Sequence, residues 1–248
     1  MVKPELVDKA EKIFAGSNIR ITPQSQRYLG AAVGTHVFIV EYVSQKVQQW
    51  VAKISALADL ALTQPHAAYA AFVHGFIGKF KYIMRTIDDI SVLFEPLEAA
   101  IHQKLIPALT GRDVCSPDER KLLSLPARHG GLNIINPVNV ANVEFNASKS
   151  ISAPLTEMIV QQTTPDAFEK PSLQSVKAAV KQQKGEQLEN EITEVKEQLS
   201  PSLQRAMELA SEKGASIWLT ALPLQEQGFC LNKQEFKDAL CLQYGWQL

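Results

Sequence analysis

Val40, Val43, Val47, Trp50, Ile54, Leu57 and Ala61 recur at alternating steps of three and four residues, and this spacing constrains the fold more than any other feature. At 3.6 residues per turn these side chains form one stripe roughly six turns long. A strand period would scatter them over both faces. A helix carrying such a stripe has to face a partner, so the expected fold class is mainly α, a helical bundle.

The same period continues downstream. Gln64-Pro65 breaks the first helix, because proline lacks an N–H and restricts the residue before it. A second helix is expected from about His66 to Ile87, with Phe72, Phe76, Phe80, Ile83 and Ile87 in line. A third, Val92 to Leu109, aligns Leu93, Leu97, Ile101 and Leu105 and is stopped by Gly111. Ser116-Pro117-Asp118-Glu119 combines a serine cap, proline at the first helical position and a glutamate three residues after the cap, which is a strong helix start. That helix ends near Gly130-Gly131. Two further stretches, Val138 to Ser148 and Pro154 to Gln162, precede a Thr163-Thr164-Pro165 linker. Residues 166–199 are rich in Lys, Glu and Gln, with a thin stripe at Leu188, Ile192, Val195 and Leu199. They read as a solvated helix, docked along a narrow seam or partly frayed. Ser200-Pro201 caps a helix carrying Leu203, Met207 and Ala210, and Asn232 with Glu235 starts the last one.

The beginning of the chain differs. Glu5 to Phe14 reads as a short helix stopped by Gly16. Ile19 and Ile21 alternate with Arg20 and Thr22, and a second apolar run spans Tyr28 to Val33. The pair reads as two strands. Two strands alone are marginal in water, so this opening looks like the edge of a sheet whose other strands are missing.

Composition narrows the function classes. With 248 residues and 46% hydrophobic content the chain can bury a sizeable core. Its net charge of -1 argues against a free-standing nucleic-acid binder but leaves room for a local basic face. Cys115, Cys230 and Cys241 form no CxxC pair; free thiols in a reducing compartment are expected, with Cys230 and Cys241 as small buried hydrophobes. The start, Met-Val-Lys-Pro-Glu, lacks the apolar core of a signal peptide, and no window has the length of a membrane span. The expected location is intracellular, cytoplasm or nucleus, with no membrane partner.

Ile87-Asp88-Asp89-Ile90 invites comparison with the paired aspartates of two-metal polymerase sites. Neither flank reads as a strand, so an aspartate here is expected to cap the next helix. His36, His66, His74, His102 and His129 have no i, i+4 pairing of a helical zinc site. No GxSxG, P-loop or dinucleotide fingerprint occurs. Catalytic residues, metal and cofactors are therefore all expected to be none. Gly130-Gly131 reads as a tight turn needing positive φ. On the second long helix His74, Gly78, Lys81 and Arg85 share one face, while Gly75, Lys79, Tyr82 and Thr86 share another. Small residues beside cations would let a phosphate chain approach closely; the plainer reading is a polar rim beside the phenylalanine stripe. Candidate nucleic-acid contacts are Lys81, Arg85, His74 and Lys79.

Several blocks resemble a known family. Gln26-Arg27-Tyr28-Leu29-Gly30-Ala31-Ala32-Val33-Gly34 resembles the Leu-Gly strand that follows the metal-binding hairpin of reverse transcriptases. Residues 63–72 (Thr-Gln-Pro-His-Ala-Ala-Tyr-Ala-Ala-Phe) and Met84-Arg85-Thr86-Ile87 resemble the helical thumb of retroelement proteins. Ile106-Pro107-Ala108-Leu109-Thr110-Gly111 continues it. Leu125-Pro126-Ala127-Arg128-His129-Gly130-Gly131-Leu132 resembles the Leu-Pro-x-Arg-x-Gly-Gly-Leu-Gly turn of non-LTR retrotransposons of the restriction-like endonuclease class, with Asn133 replacing the last glycine. Residues 203–216, 218–223 and 236–246 resemble the same family's linker. The resemblance implies a remnant of the polymerase palm edge at 1–34, a thumb-like domain at 35–165 and a helical linker at 166–248. It implies a non-catalytic fragment, beginning after the family's catalytic aspartates and ending before its zinc ligands. Its implied partner is a template–primer duplex, gripped weakly by its backbone. The other reading is a helical protein-interaction module without nucleic-acid binding.

Overall fold

A short helix, α1 (Val7–Ile13), leads into a hairpin whose strands differ from the expected ones. The structure is a computed structural model describing residues 2–19, 21–23, 25–162 and 170–247, with the backbone alone over 170–173. Arg20 and the Thr163-Thr164-Pro165 linker lie outside the described residues. Ile19 and Ile21 occupy irregular chain, and the strands are β1 (Ser25–Tyr28) and β2 (Ala31–Gly34). They pair antiparallel, Ser25 with Gly34 and Tyr28 with Ala31. The run Tyr28 to Val33 is therefore split by a turn. Leu29 and Gly30 have φ of 47° and 84°, the doubly left-handed pair that a two-residue hairpin turn requires.

Thr35 caps the first long helix, α2 (His36–Ala61), by accepting the Phe38 N–H. The stripe behaves as expected from Val43 onward: Val43, Val47, Trp50, Ile54, Leu57 and Ala61 are all buried. Against it packs α3 (residues 65–86), built from Pro65–Ala70, a π-helical turn Ala71–Phe76, and Ile77–Thr86. The π turn corrects the expected line of phenylalanines. Its wider loop makes five residues the step between buried Phe72 and buried Ile77, and leaves Phe76 half-buried. Trp50 stacks on Phe94 at 6.2 Å and meets the edge of Phe80 at 6.1 Å. After a 3-10 turn (Ser91–Phe94), α4 covers residues 95–110, again with a π turn, Ile101–Leu105. It buries Leu97, Ile101 and Leu105, each worth roughly 1.5–3 kcal/mol of transfer free energy. Gly111 ends it at φ 71°.

The capping box at Ser116 and Glu119 opens α5 (Pro117–Ser124) with both hydrogen bonds formed. Its buried Arg120 binds Glu98 in a fork, at 2.7 and 2.8 Å, and donates to the Ile134 and Ile135 carbonyls. Those bonds hold the chain just beyond the Leu125–Leu132 turn. Gly130 has φ 83°, as expected, and Asn133 takes the left-handed region at 53°. At Gly131 the requirement is space rather than φ: a Cβ would lie 2.0 Å from the Leu125 carbonyl oxygen. Tyr69 donates to the Leu132 carbonyl and Tyr244 to that of Gly130, each at 2.9 Å. The glycine motif is thus a structural hub that two distant segments share.

Two expected helices are one, α6 (Pro137–Gln161); Pro154 lies within its largely exposed second half. Next come α7 (Lys170–Gln198), α8 (Pro201–Ala210) and α9 (Lys233–Tyr244). The seam on α7 forms: Val195 and Leu199 are buried, Leu188 and Ile192 half-buried. Asn232 and Glu235 complete the capping box of α9. The fold is mainly α, a helical bundle with one two-stranded sheet, and one apolar core runs from Ala32 to Tyr244. Cys115 and Cys241 are buried, but Cys230 is exposed, contrary to expectation, on an irregular segment. Among the described residues no helix is long and apolar enough to cross a membrane.

Candidate nucleic-acid interface

Lys81 and Arg85 stand one turn apart on α3, and both reach the same carboxylate. Glu144, on α6, has a side chain only 7% exposed and lies 2.8 Å from Arg85 and 3.5 Å from Lys81. A third cation arrives from α7, where Lys184 donates to Glu144 at 3.0 Å. Burial pushes the Glu144 carboxyl up. The hydrogen bonds from Arg85 and Lys184 and the charge of Lys81 outweigh it and hold the group down at about 2.

One carboxylate cannot balance this gathering of charge. Beside it a cleft of about 500 Å³ opens between α3, α6 and α7, walled by Arg85, Lys177, Lys181 and Lys184 with Ser148 and Ser152; among the described residues Glu144 is the one acid in its lining. Lys177, Lys181 and Lys184 follow at steps of four and three, so they share a face and span about 10 Å of helix axis.

The charge order of α7 bears on what these lysines are for. Residues 170–185 carry Lys170, Lys177, Lys181 and Lys184 and no acid, whereas 186–198 carry five glutamates and one lysine. A helix is stabilised by acids near its N-terminus and bases near its C-terminus. Lys177, Lys181 and Lys184 lie about two to four turns inside the helix, beyond the reach of its terminal charge, so the dipole does not account for the basic half.

The remaining sequence candidates lie elsewhere. Lys79 faces a second groove, about 360 Å³, together with Lys46, Gln49, Lys53, Tyr82 and Gly30, and among the described residues no acid lines it. The hairpin turn closes one end. Tyr42 donates to the Gly30 carbonyl at 2.6 Å and Tyr82 to that of Leu29. These bonds hold Leu29, 79% exposed, in its left-handed conformation. His74 sits inside the π turn and lines neither opening. Steps of four, three and four put His74 with Lys81 and Arg85 on a regular α-helix, but a π turn shifts the phase between them.

The aspartate pair does not cap a helix as expected. Ile90 occupies the cap position without a side-chain bond, and Asp88 instead accepts the Asp89 N–H at 2.9 Å. Asp89 itself has φ 52°, so the chain bends there before the next helical turn can start. Among the described residues no group of three His, Cys, Asp or Glu side chains could hold a metal ion.

Glu144, Lys177, Lys181 and Lys184 were absent from the sequence candidates, as were Lys46 and Lys53. The charge order of α7 is the one signal in the sequence that could have found its lysines. No protein-family model, curated protein or solved structure matches the chain.

Proposed function

We propose that the chain is a non-catalytic nucleic-acid-binding piece of a retrotransposon-derived reverse transcriptase, its thumb and linker, and that it grips a phosphate backbone in the cleft between α3, α6 and α7. The observation carrying the binding reading is that Lys81, Arg85 and Lys184 meet at Glu144, while Arg85 and Lys184 wall one cleft together with Lys177 and Lys181. Flexible cations along a groove neutralise phosphates without reading base sequence. The family assignment rests on the residue resemblances, chiefly Leu125 to Leu132 and residues 63–72. The proposal that the chain lacks polymerase activity is supported by the exposed bend that holds Asp88 and Asp89, unlike the paired-strand geometry a two-metal site uses.

Salt titration of binding tests the proposal. Affinity for a short duplex or single strand should fall steeply with salt, and replacing Lys177 and Lys181 together with Ala should flatten the slope by about one unit per lost phosphate contact. Lys81→Ala with Arg85→Ala should do the same, although Glu144 would then keep only Lys184. Absence of binding at low salt, or a slope indifferent to all four substitutions, would remove the reading. A protein-interaction module is the second reading. It draws on exposed Leu155, Ile159 and Val160 near the end of α6 and on the net charge of -1.

A further inference from the structure

We propose that the cavity between α6, α7 and the turn following α5 receives an unpaired nucleobase, so that the polyanion in the adjoining cation cleft is a single strand rather than a duplex. This rests on the nucleic-acid reading above and adds a substrate class to it. The cavity measures about 360 Å³, within the range of small-molecule sites. Glu144 and Lys184 wall both it and the cation cleft. A strand with its phosphates along Lys177, Lys181 and Lys184 therefore passes the mouth of this cavity.

The lining suits a base. Leu125, Val140 and Leu188 supply apolar walls, which take the faces of a planar ring. Asn139 and Gln187 supply amides, donor and acceptor together, and Glu191 a carboxylate. Amides of this kind pair with the adenine edge, and a carboxylate accepts from an exocyclic amine. All three residues are exposed to solvent, and among the described residues no hydrogen bond within the protein uses their side chains, so they are free to meet a ligand. Partial burial, followed by the charge of Glu194, pushes Glu191 above the usual carboxylate range. An apolar peptide side chain would gain nothing from the lysines next door, whereas a nucleotide uses both compartments. Bases inside a duplex are stacked and paired and do not enter a recess.

The full chain, titrated by fluorescence anisotropy against three probes with equal numbers of phosphates, provides the test: a deoxyadenosine oligonucleotide, an abasic strand, and a duplex. The base-bearing strand should bind about tenfold more tightly than the abasic one, and the duplex no more tightly than the abasic strand. Val140→Trp, which fills the cavity, should erase the tenfold difference and leave abasic affinity in place. Asn139→Leu with Gln187→Leu should do the same without altering the core, and covers the case in which tryptophan disturbs folding. Lys177→Ala with Lys181→Ala should weaken all three probes alike. Equal affinity for base-bearing and abasic strands would overturn the base pocket and leave the cation cleft standing, as would a base preference that survives both sets of cavity variants. Failure of every probe to bind at low salt would overturn the cleft, and the pocket with it.

Discussion

Helices α2 and α7 are nearly equal in length, 26 and 29 residues, yet they are held in place differently. Along α2 a wide stripe from Tyr42 to Ala61 is buried, and the helix touches α3, α4 and the hairpin. Along α7 the buried side chains are few among the described residues, Val180 and Val195 with Leu199 just beyond its end, and its polar ties include Lys184 to Glu144 and Lys196 to Glu208. Helix length therefore says little about anchorage. A helix docked along one seam leaves its other faces free, and α7 fills them with charge, lysines in its first half and glutamates in its second. The well-anchored helix builds the scaffold, and the lightly anchored one supplies the surface on which binding is proposed.

The sharpest way to break this contrast is to truncate one buried side chain from each region. Phe72, fully buried against the α2 side of the core, should cost about 3–5 kcal/mol as Phe72→Ala in urea denaturation. Leu199→Ala, on the α7 seam, should cost less, about 2 kcal/mol, because the thin seam can relax around the gap. Equal costs would mean that α7 is anchored as firmly as α2. Next in size, Glu144→Gln should cost about 1–3 kcal/mol, since three cations would then face one another without their carboxylate. Amide exchange should quicken over residues 177–188 and stay unchanged in α2; uniform protection loss would show that Glu144 supports the whole core.

Acidification should separate two contacts in order. The His66 ring is buried against Phe236, with Nε2 donating to the Ala221 carbonyl and Nδ1 accepting the Leu231 N–H. Burial lowers its proton affinity below the usual histidine value of 6.5, although the Ala221 bond opposes this. The unfolded chain then takes up the proton first, so the stability His66 contributes is present above pH 6.5 and declines as pH falls below it. Glu144 is held at about 2 against an ordinary 4.5. Its contribution is present above 4.5 and is lost as pH falls from there toward 2. Fluorescence of Trp218, which meets Phe236 edge-on, should report the first loosening before hydrogen exchange reports the second over α7. A urea midpoint that stays flat from about pH 7 to 5 would discard the His66 contribution. The smallest effect concerns the lysines themselves: Lys177→Ala with Lys181→Ala should shift stability by no more than about 0.5 kcal/mol. A larger loss would mean that they hold α7 down rather than face a ligand.

Local chemistry determined much of this fold. The capping boxes at Ser116 and Asn232 set helix starts because a side chain beside the first turn satisfies its free N–H groups. The stripe of α2 was legible because a helical period requires no partner to be recognised. Gly130 was legible because few residues tolerate positive φ. Tertiary structure decided the rest. The π turns in α3 and α4 alter the phase of a helix without leaving a residue signature, and moved His74 away from Lys81. The run Tyr28 to Val33 became a turn because Tyr42 and Tyr82, far along the chain, bind its two carbonyls. Pro154 stayed inside a helix that local rules would have divided. The cleft around Glu144 depends on where α3, α6 and α7 pack. Its cations lie as far apart in sequence as Lys81 and Lys184, and sequence spacing reports neighbours only within one element, whereas packing of apolar faces brings charges from separate elements together.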